Sequence, residues 1–194
     1  MENNKISKVF KKLPTLETPR LILKKISMDN LYDMNRYASM EETSEYLLWT
    51  PHFNLLETRG VIEFHMNQYR NGKSPDWGLT HKADNRFIGT CGFTSVDEYN
   101  NSAELGYVLS PEYWRRGLMK EALSAVMRVA FMDIEFHRLT VRIMDGNVAS
   151  MKLAESVGFV HEGAGRECQL IKGKYETVHT FSILKREYEK IISF

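Results

Sequence analysis

The chain has 194 residues, 43% of them hydrophobic and 26% charged, with a formal net charge of +1. That length suits one domain, 1–194, around one sizeable core, and the near-neutral charge gives no general nucleic-acid-binding surface, although local basic patches stay open. No apolar run approaches the ~20 residues that a bilayer-spanning helix needs, and the two cysteines, Cys91 and Cys168, lack metal-type spacing and fit reduced thiols in the cytoplasm.

The opening MENNKISKVFKKLP is basic but has no signal-peptide apolar segment or cleavage site, and residues 1–15 read as a loosely held arm. RLILKKI, Arg20–Ile26, follows Pro19 and reads as a first strand. Ser27 or Asp29 can cap a helix running to about Ser39. A second helix is predicted from Leu55 to Asn71, where Val61, Ile62, His65, Met66 and Tyr69 recur at helical spacing before NGKSP ends it. DWGLTH (76–81), RFIGTCGFTSV (86–96) and SAELGYVL (102–109) are joined by the turns KADN and DEYNN and predict an antiparallel meander.

The pattern then changes. Gly117 to about Met132 reads as a long helix, HRLTVRIM as a strand, and GNVASMKLAESVGF as a short helix that Gly158 stops in a left-handed conformation. FVHEGAGRE and YETVHTFSIL read as two last strands before a terminal helix. A meander that runs into strand–helix–strand gives a mixed α/β sheet with helices on its faces.

The junction LGYVLSPEYWRRGLMKEAL holds the first functional signal. Ser110-Pro111 ends the strand, because proline cannot donate to a ladder. The first N–H groups of the following helix lack intrahelical partners and carry the positive end of its dipole, a ready anion site. Gly117 lacks a Cβ and lets a ligand oxygen approach, while Arg115 and Arg116 can add charge-assisted bonds. The plain alternative is a surface helix with a permissive glycine and two solvated arginines. Leu118, Ala122, Val126 and Val129, with Met119, Leu123 and Ala130 beside them, form the stripe that anchors the helix to a sheet. Neither a Walker phosphate loop nor a dinucleotide G-x-G-x-x-G occurs.

The stretches ETPRLILKKI, IGTCGF, AELGYVLSPEYWRRGLMKEAL, HRLTVRIMDGNVASMKLAESVGF and HEGAGRE, in this order and spacing, resemble the Gcn5-related N-acetyltransferase (GNAT) family across nearly the whole chain. Within it they are most similar to the Rim-type ribosomal-protein N-terminal acetyltransferases. The resemblance implies a mostly antiparallel sheet of six or seven strands, splayed between the fourth (102–109) and the fifth (139–144). It implies that the backbone of Arg115, Arg116, Gly117, Leu118, Met119 and Lys120 binds the diphosphate of acetyl-coenzyme A. The pantetheine arm is then expected to pair with strand backbone in the splay, through Leu109, with Asn147 as a further contact. The family pattern at the helix start is matched at Gly117, whereas Trp114 and Met119 depart from it in the Rim-type manner.

N-acetylation needs a neutral amine, a donor for the oxyanion and a proton or hydrogen bond for the departing thiolate. Along 102–109, Ala103, Leu105, Tyr107 and Leu109 share one face, and Glu104 lies on the other with Ser102, Gly106 and Val108. Glu104 is the candidate general base; a solvated strand glutamate is the plain alternative. Asn147 is a good N-cap and Ser150 suits a first turn. The resemblance sets Ser150 near the thioester sulfur and makes the backbone N–H of Val108 the oxyanion donor. Many family members carry a tyrosine seven residues after this asparagine as general acid; Ala154 stands there in this chain, so Ser150 or water must substitute. Tyr107 and Tyr113 read as a buried and a loop aromatic. The six histidines show no metal-ligand clustering, so no metal is expected. Cys91 reads as a packed strand residue, which favours direct transfer over an acyl-enzyme.

For the acceptor, ETSEYLLWTPHF offers Glu41, Glu42 and Glu45 to a cationic amine, or else a solvated face with Trp49 and Phe53 in the core. GRECQLIKGKYET either walls the acceptor groove or serves only as a hairpin. The resulting expectation is acetyl transfer from acetyl-CoA to a protein N-terminal amine, a ribosomal protein among the partners, by a cytoplasmic monomer or homodimer. A small-amine acetyltransferase and a non-catalytic acyl-CoA-binding module are the alternatives.

Overall fold

Leu21 and Leu23 are buried while Ile22 and Lys24 are less so, the alternation of a strand with one face on a core. The computed structural model describes residues 3–73 and 75–193. It contains α1 (Asn3–Lys11), β1 (Leu16–Glu17), β2 (Leu21–Lys24), α2 (Leu31–Ala38), α3 (Glu41–Ser44), α4 (Leu55–Asn71), β3 (Asp76–His81), β4 (Arg86–Asp97) and β5 (Ser102–Leu109). The second half adds α5 (Leu118–Arg128), β6 (Arg138–Met144), α6 (Val148–Ser156), β7 (Val160–Ile171), β8 (Lys174–Leu184) and α7 (Lys185–Ile192). The strands form one sheet in the order β1-β2-β3-β4-β5-β6-β8-β7.

The predicted meander stands as β3, β4 and β5, all antiparallel neighbours. The sheet has eight strands rather than six or seven, because the two residues of β1 pair with Leu23 and Ile22. So short a pairing leaves no periodic signal. β7 and β8 meet at a two-residue turn, Lys172-Gly173, with φ of 49° and 81°. Two positive φ values in succession are the turn that matches strand twist.

The feature that shapes the site is the junction of β5 and β6. They pair in parallel only where Ser102, Ala103 and Glu104 lie beside Arg138, Leu139 and Thr140. β6 then follows β8 along its whole length. Beyond Glu104 the β5 edge therefore leaves β6, and the sheet opens into the splay that the family resemblance implied.

Two expected elements are different. Residues 1–15 are not a loose arm over their described length. α1 carries Phe10 into the core, 1% exposed and 5.3 Å from the Phe93 ring, and Leu13 is buried after it. Burying a phenylalanine gains about 2–3 kcal/mol, enough to hold a short segment that charge and polarity alone mark as free. Met1 and Glu2 lie outside the described residues. The long helix keeps α geometry only to Arg128. It then widens into a turn over Val129–Ile134 that sinks Val129, Ala130, Phe131 and Ile134, and ends at Glu135 in a left-handed conformation. Gly158 stops α6 as expected. Its N–H bonds to the Glu155 carbonyl and that of Phe159 to the Ala154 carbonyl, the paired closure of a left-handed cap. Among the described residues no helix is long and apolar enough to cross a membrane.

Candidate active site

The chain enters α5 through two left-handed residues, Arg115 at φ 59° and Gly117 at φ 73°. The N–H of Glu121 is bonded to the Gly117 carbonyl, so those of Leu118, Met119 and Lys120 stand ahead of the first helical bond with the positive end of the helix behind them. These residues border a cavity of about 560 Å³, together with Arg115, Gly117, Tyr107, Val108, Leu109, Asn147, Ser150 and Lys152. A Cβ at Gly117 would meet only Arg20 Nη2, at 3.6 Å, so the glycine answers to its left-handed φ rather than to crowding within the chain.

The two arginines part company. Arg115 borders the cavity, whereas the Arg116 guanidinium lies over the Tyr113 ring, 5.1 Å from its centre, and Arg116 is not in the cavity wall. Tyr113 is itself fixed, donating to Asp84 Oδ2 at 2.6 Å. Of the two arginines, only Arg115 is therefore placed to add a charge-assisted bond in the cavity, while the Arg116 guanidinium stacks on Tyr113.

The Arg116 carbonyl instead receives Arg20 Nη1 at 2.7 Å. Arg20 also donates Nε to Glu121 Oε2 at 2.7 Å and its backbone N–H to Glu121 Oε1 at 2.8 Å, and Thr18 Oγ1 donates to Glu121 Oε1 at 2.6 Å. The loop between β1 and β2 thus clasps the first turn of α5. Burial pushes the Glu121 carboxyl up, but the bonds from Thr18 and Arg20 outweigh it and hold it below the usual range. The sequence reading missed this clasp; its only trace was a carboxylate in the first turn of a helix.

At the splay, Asn147 caps α6 by accepting the Ser150 N–H at 3.1 Å. That turns Ser150 Oγ toward Tyr107 Oη, 2.7 Å away. Burial pushes the Tyr107 phenol up to about 12, against a smaller lowering by the Ser150 bond. It therefore stays protonated, and as the more acidic hydroxyl we assign it as the donor, which leaves the Ser150 hydrogen for the cavity. Tyr107, which the sequence presents as a buried aromatic, thus meets Ser150 at the cavity wall. Ala154, at the family's tyrosine position, is fully buried.

The register corrects a second expectation. Ser110 N–H bonds to the Ile88 carbonyl at 2.7 Å, and β5 pairs Leu109 with Gly89 and Val108 with Thr90. Hydrogen-bonded and non-bonded pairs alternate along an antiparallel ladder. The Val108 N–H is therefore committed to β4 and is not the oxyanion donor; the amides of Tyr107 and Leu109 face the opening. The Leu109 carbonyl, on the same side, accepts Trp114 Nε1 at 2.7 Å.

Glu104 borders a second cavity, of about 160 Å³, with Arg142, Thr94, Gln169, Ile171 and Val178. Arg142 Nε donates to Glu104 Oε2 at 2.9 Å. Tyr46, Leu47, Tyr107 and Asn147 border both cavities, so the two meet at the splay, with Ser150 on one side and Glu104 on the other. Of the acidic segment, Glu42 and Glu45 reach the larger cavity. Trp49 packs partly on the core, but Phe53 is 90% exposed, so the alternative that set both in the core holds only for Trp49. The late hairpin does wall the smaller cavity, through Gln169 and Ile171, and Lys172 Nζ ties it to the Ser44 carbonyl at 2.5 Å. Cys91 is fully buried and burial pushes its thiol up, unfit for a nucleophile. Among the described residues no group of three His, Cys, Asp or Glu side chains could hold a metal.

Comparison with known proteins agrees with this geometry. The family model described as the acetyltransferase (GNAT) domain matches residues 20–160. An uncharacterized N-acetyltransferase, p20, of Bacillus licheniformis is 31% identical over 176 residues, covering 91% of this chain and 99% of that protein. The crystal structure of a GNAT-family acetyltransferase from Bacillus anthracis superposes with a TM-score of 0.81 at 20% identity, over 90% of this chain and 100% of the other. A ribosomal L7/L12 alpha-N-protein acetyltransferase in complex with coenzyme A gives a TM-score of 0.77 at 19% identity, over 86% and 95%.

Proposed function

The chain belongs to the acetyltransferase (GNAT) family, and on that premise we propose that this acetyl-CoA-dependent N-acetyltransferase acts in the cytoplasm on a protein N-terminal α-amine, such as that of a ribosomal protein. The support is a single arrangement: amides ahead of the first helical bond of α5 border one cavity with the Tyr107–Ser150 hydroxyl pair, and Glu104 borders a second that shares Tyr46, Leu47, Tyr107 and Asn147 with it.

The residues present fit the co-substrate. Amides of Leu118, Met119 and Lys120, with the cations of Arg115 and Lys120, suit a diphosphate. The edge of β5 beyond Glu104 suits an amide-bearing arm laid alongside it, with the Leu109 amide to receive it and the Tyr107 amide left for the acyl carbonyl. When bound, acetyl-CoA supplies an activated acyl group. Glu104 takes the proton from the acceptor ammonium, directly or through water. The opening-facing amides of β5 receive the charge that develops on the carbonyl oxygen. Ser150 gives a hydrogen bond to the departing sulfur, or passes on its proton while the Tyr107 phenol replaces it on the serine oxygen.

Calorimetry with acetyl-CoA and acetylation assays on ribosomal-protein N-terminal peptides and a library of small amines test this reading. Binding with transfer to peptide N-termini supports it. Transfer to small amines alone would keep the acetyltransferase and remove the protein acceptor, and absence of binding across a wide titration range would sink it.

A further inference from the structure

We infer that Arg142 selects the acceptor, so that this chain takes amines carrying a carbonyl or carboxylate on the adjoining carbon, an α-aminoacyl group, in preference to polyamines and other polycations. The inference rests on the acetyltransferase reading and deepens it. Arg142 spends one donor, Nε, on Glu104 Oε2 at 2.9 Å. A guanidinium has five N–H groups, and among the described residues neither Nη nitrogen of Arg142 has a protein partner; its side chain is 49% exposed at the edge of the 160 Å³ cavity. One wall of that cavity is thus a fixed pair of opposite charges. Leu47, Leu48, Ile171 and Val178 give the same cavity an apolar part to its lining.

An α-aminoacyl group matches all three features. Its amine meets Glu104, its carbonyl oxygen, three bonds from that nitrogen, meets the free Nη groups of Arg142, and its side chain meets the apolar walls. A polyamine brings a second ammonium to the place where the guanidinium stands, and like charges in a partly enclosed site repel. A peptide N-terminus and a free amino acid share the recognised group and differ only in carbonyl against carboxylate.

The test compares valinamide, valine, spermidine and 3-methylbutan-2-amine, which is the valinamide skeleton with a methyl in place of the carboxamide. The wild-type chain and Arg142→Gln and Arg142→Lys variants are assayed with acetyl-CoA, and acceptor binding is followed by NMR titration with coenzyme A present. The expected result is that the wild type prefers valinamide or valine to spermidine, the two arms telling peptide-like from free acceptor. In Arg142→Gln the kcat/KM ratio of valinamide to 3-methylbutan-2-amine should fall about 10- to 100-fold, the size of a lost charge-assisted bond, with partial recovery in Arg142→Lys and a parallel loss in binding. The ratio is insensitive to partial misfolding or to a weakened Glu104, which lower both terms together. An unchanged ratio, or a wild-type preference for spermidine, overturns the inference and leaves the acetyltransferase standing. No transfer to any amine overturns both.

Discussion

At Ser150 the backbone N–H is held by the α6 cap and the hydroxyl oxygen lies 2.7 Å from the Tyr107 phenol. Replacing Ser150 with alanine should lower turnover roughly 10- to 100-fold, at the low end of acid–base contributions. Tyr107→Phe should lower it about 10-fold, and the double variant should fall little below Ser150→Ala alone, because two residues that act as a unit are not additive. Fully additive losses in kcat would mean that Tyr107 does not work through Ser150. For Glu104→Gln, turnover at neutral pH should drop more than acetyl-CoA affinity, and the pH–rate profile should lose the limb that a titrating base imposes. A profile identical to the parent's would remove Glu104 as base. Glu104 and Ser150 are candidates already in the sequence, the first from its strand position and the second from the family resemblance. Tyr107 could not, since its role depends on a hydroxyl 43 positions away.

At the scale of the element, α5 is more than a dipole aimed at a cavity. Its first turn is held from outside by Thr18 and Arg20, whose four bonds to Glu121 and to the Arg116 carbonyl join the two left-handed residues to the sheet edge. On the proposed reading, Arg20 is a positioning residue for the amides that receive the diphosphate. Arg20→Ala should raise KM for acetyl-CoA several-fold while changing KM for S-acetylpantetheine, which has no diphosphate, much less. Equal increases for both donors would reduce the clasp to a contribution to stability alone. The start of the helix was evident from Gly117 and the proline before it; the clasp was not, because Arg20 and Glu121 lie 101 positions apart.

At the scale of the whole molecule, one largely buried polar pair at the start of β3 is expected to make stability depend on pH. Asp76, at the start of β3, lies 3.5 Å from His65 of α4, and burial pushes the carboxyl up to about 7 and the imidazole down to about 4. A raised carboxyl gives stability that is complete below its ordinary 3.8 and is lost as pH rises through about 7. A lowered histidine acts in the opposite sense, adding stability as pH rises from about 4 to 6.5. The two oppose one another over that window, and the Asp76 loss is what continues above it. Thermal melts should show the parent losing roughly 0.5 kcal/mol between pH 6.5 and 8, the Asp76 loss less the last of the His65 gain, with Asp76→Asn rising slightly over the same range. A decline of the same size in Asp76→Asn would show that Asp76 is not its source. The same scale separates what the chain settles locally from what it does not. Residue order alone determined the meander, the α5 stripe, the caps at Asn147 and Gly158 and the anion-ready helix start, because each is a matter of period or of near-neighbour backbone geometry. Only the tertiary structure decided that α1 is packed, that β5 parts from β6 after Glu104, that the Val108 amide is spent on β4, and that Arg142 stands beside Glu104. Each of these rests on which distant segments meet and in what register, and a one-residue shift in register reverses the side to which every amide and side chain points.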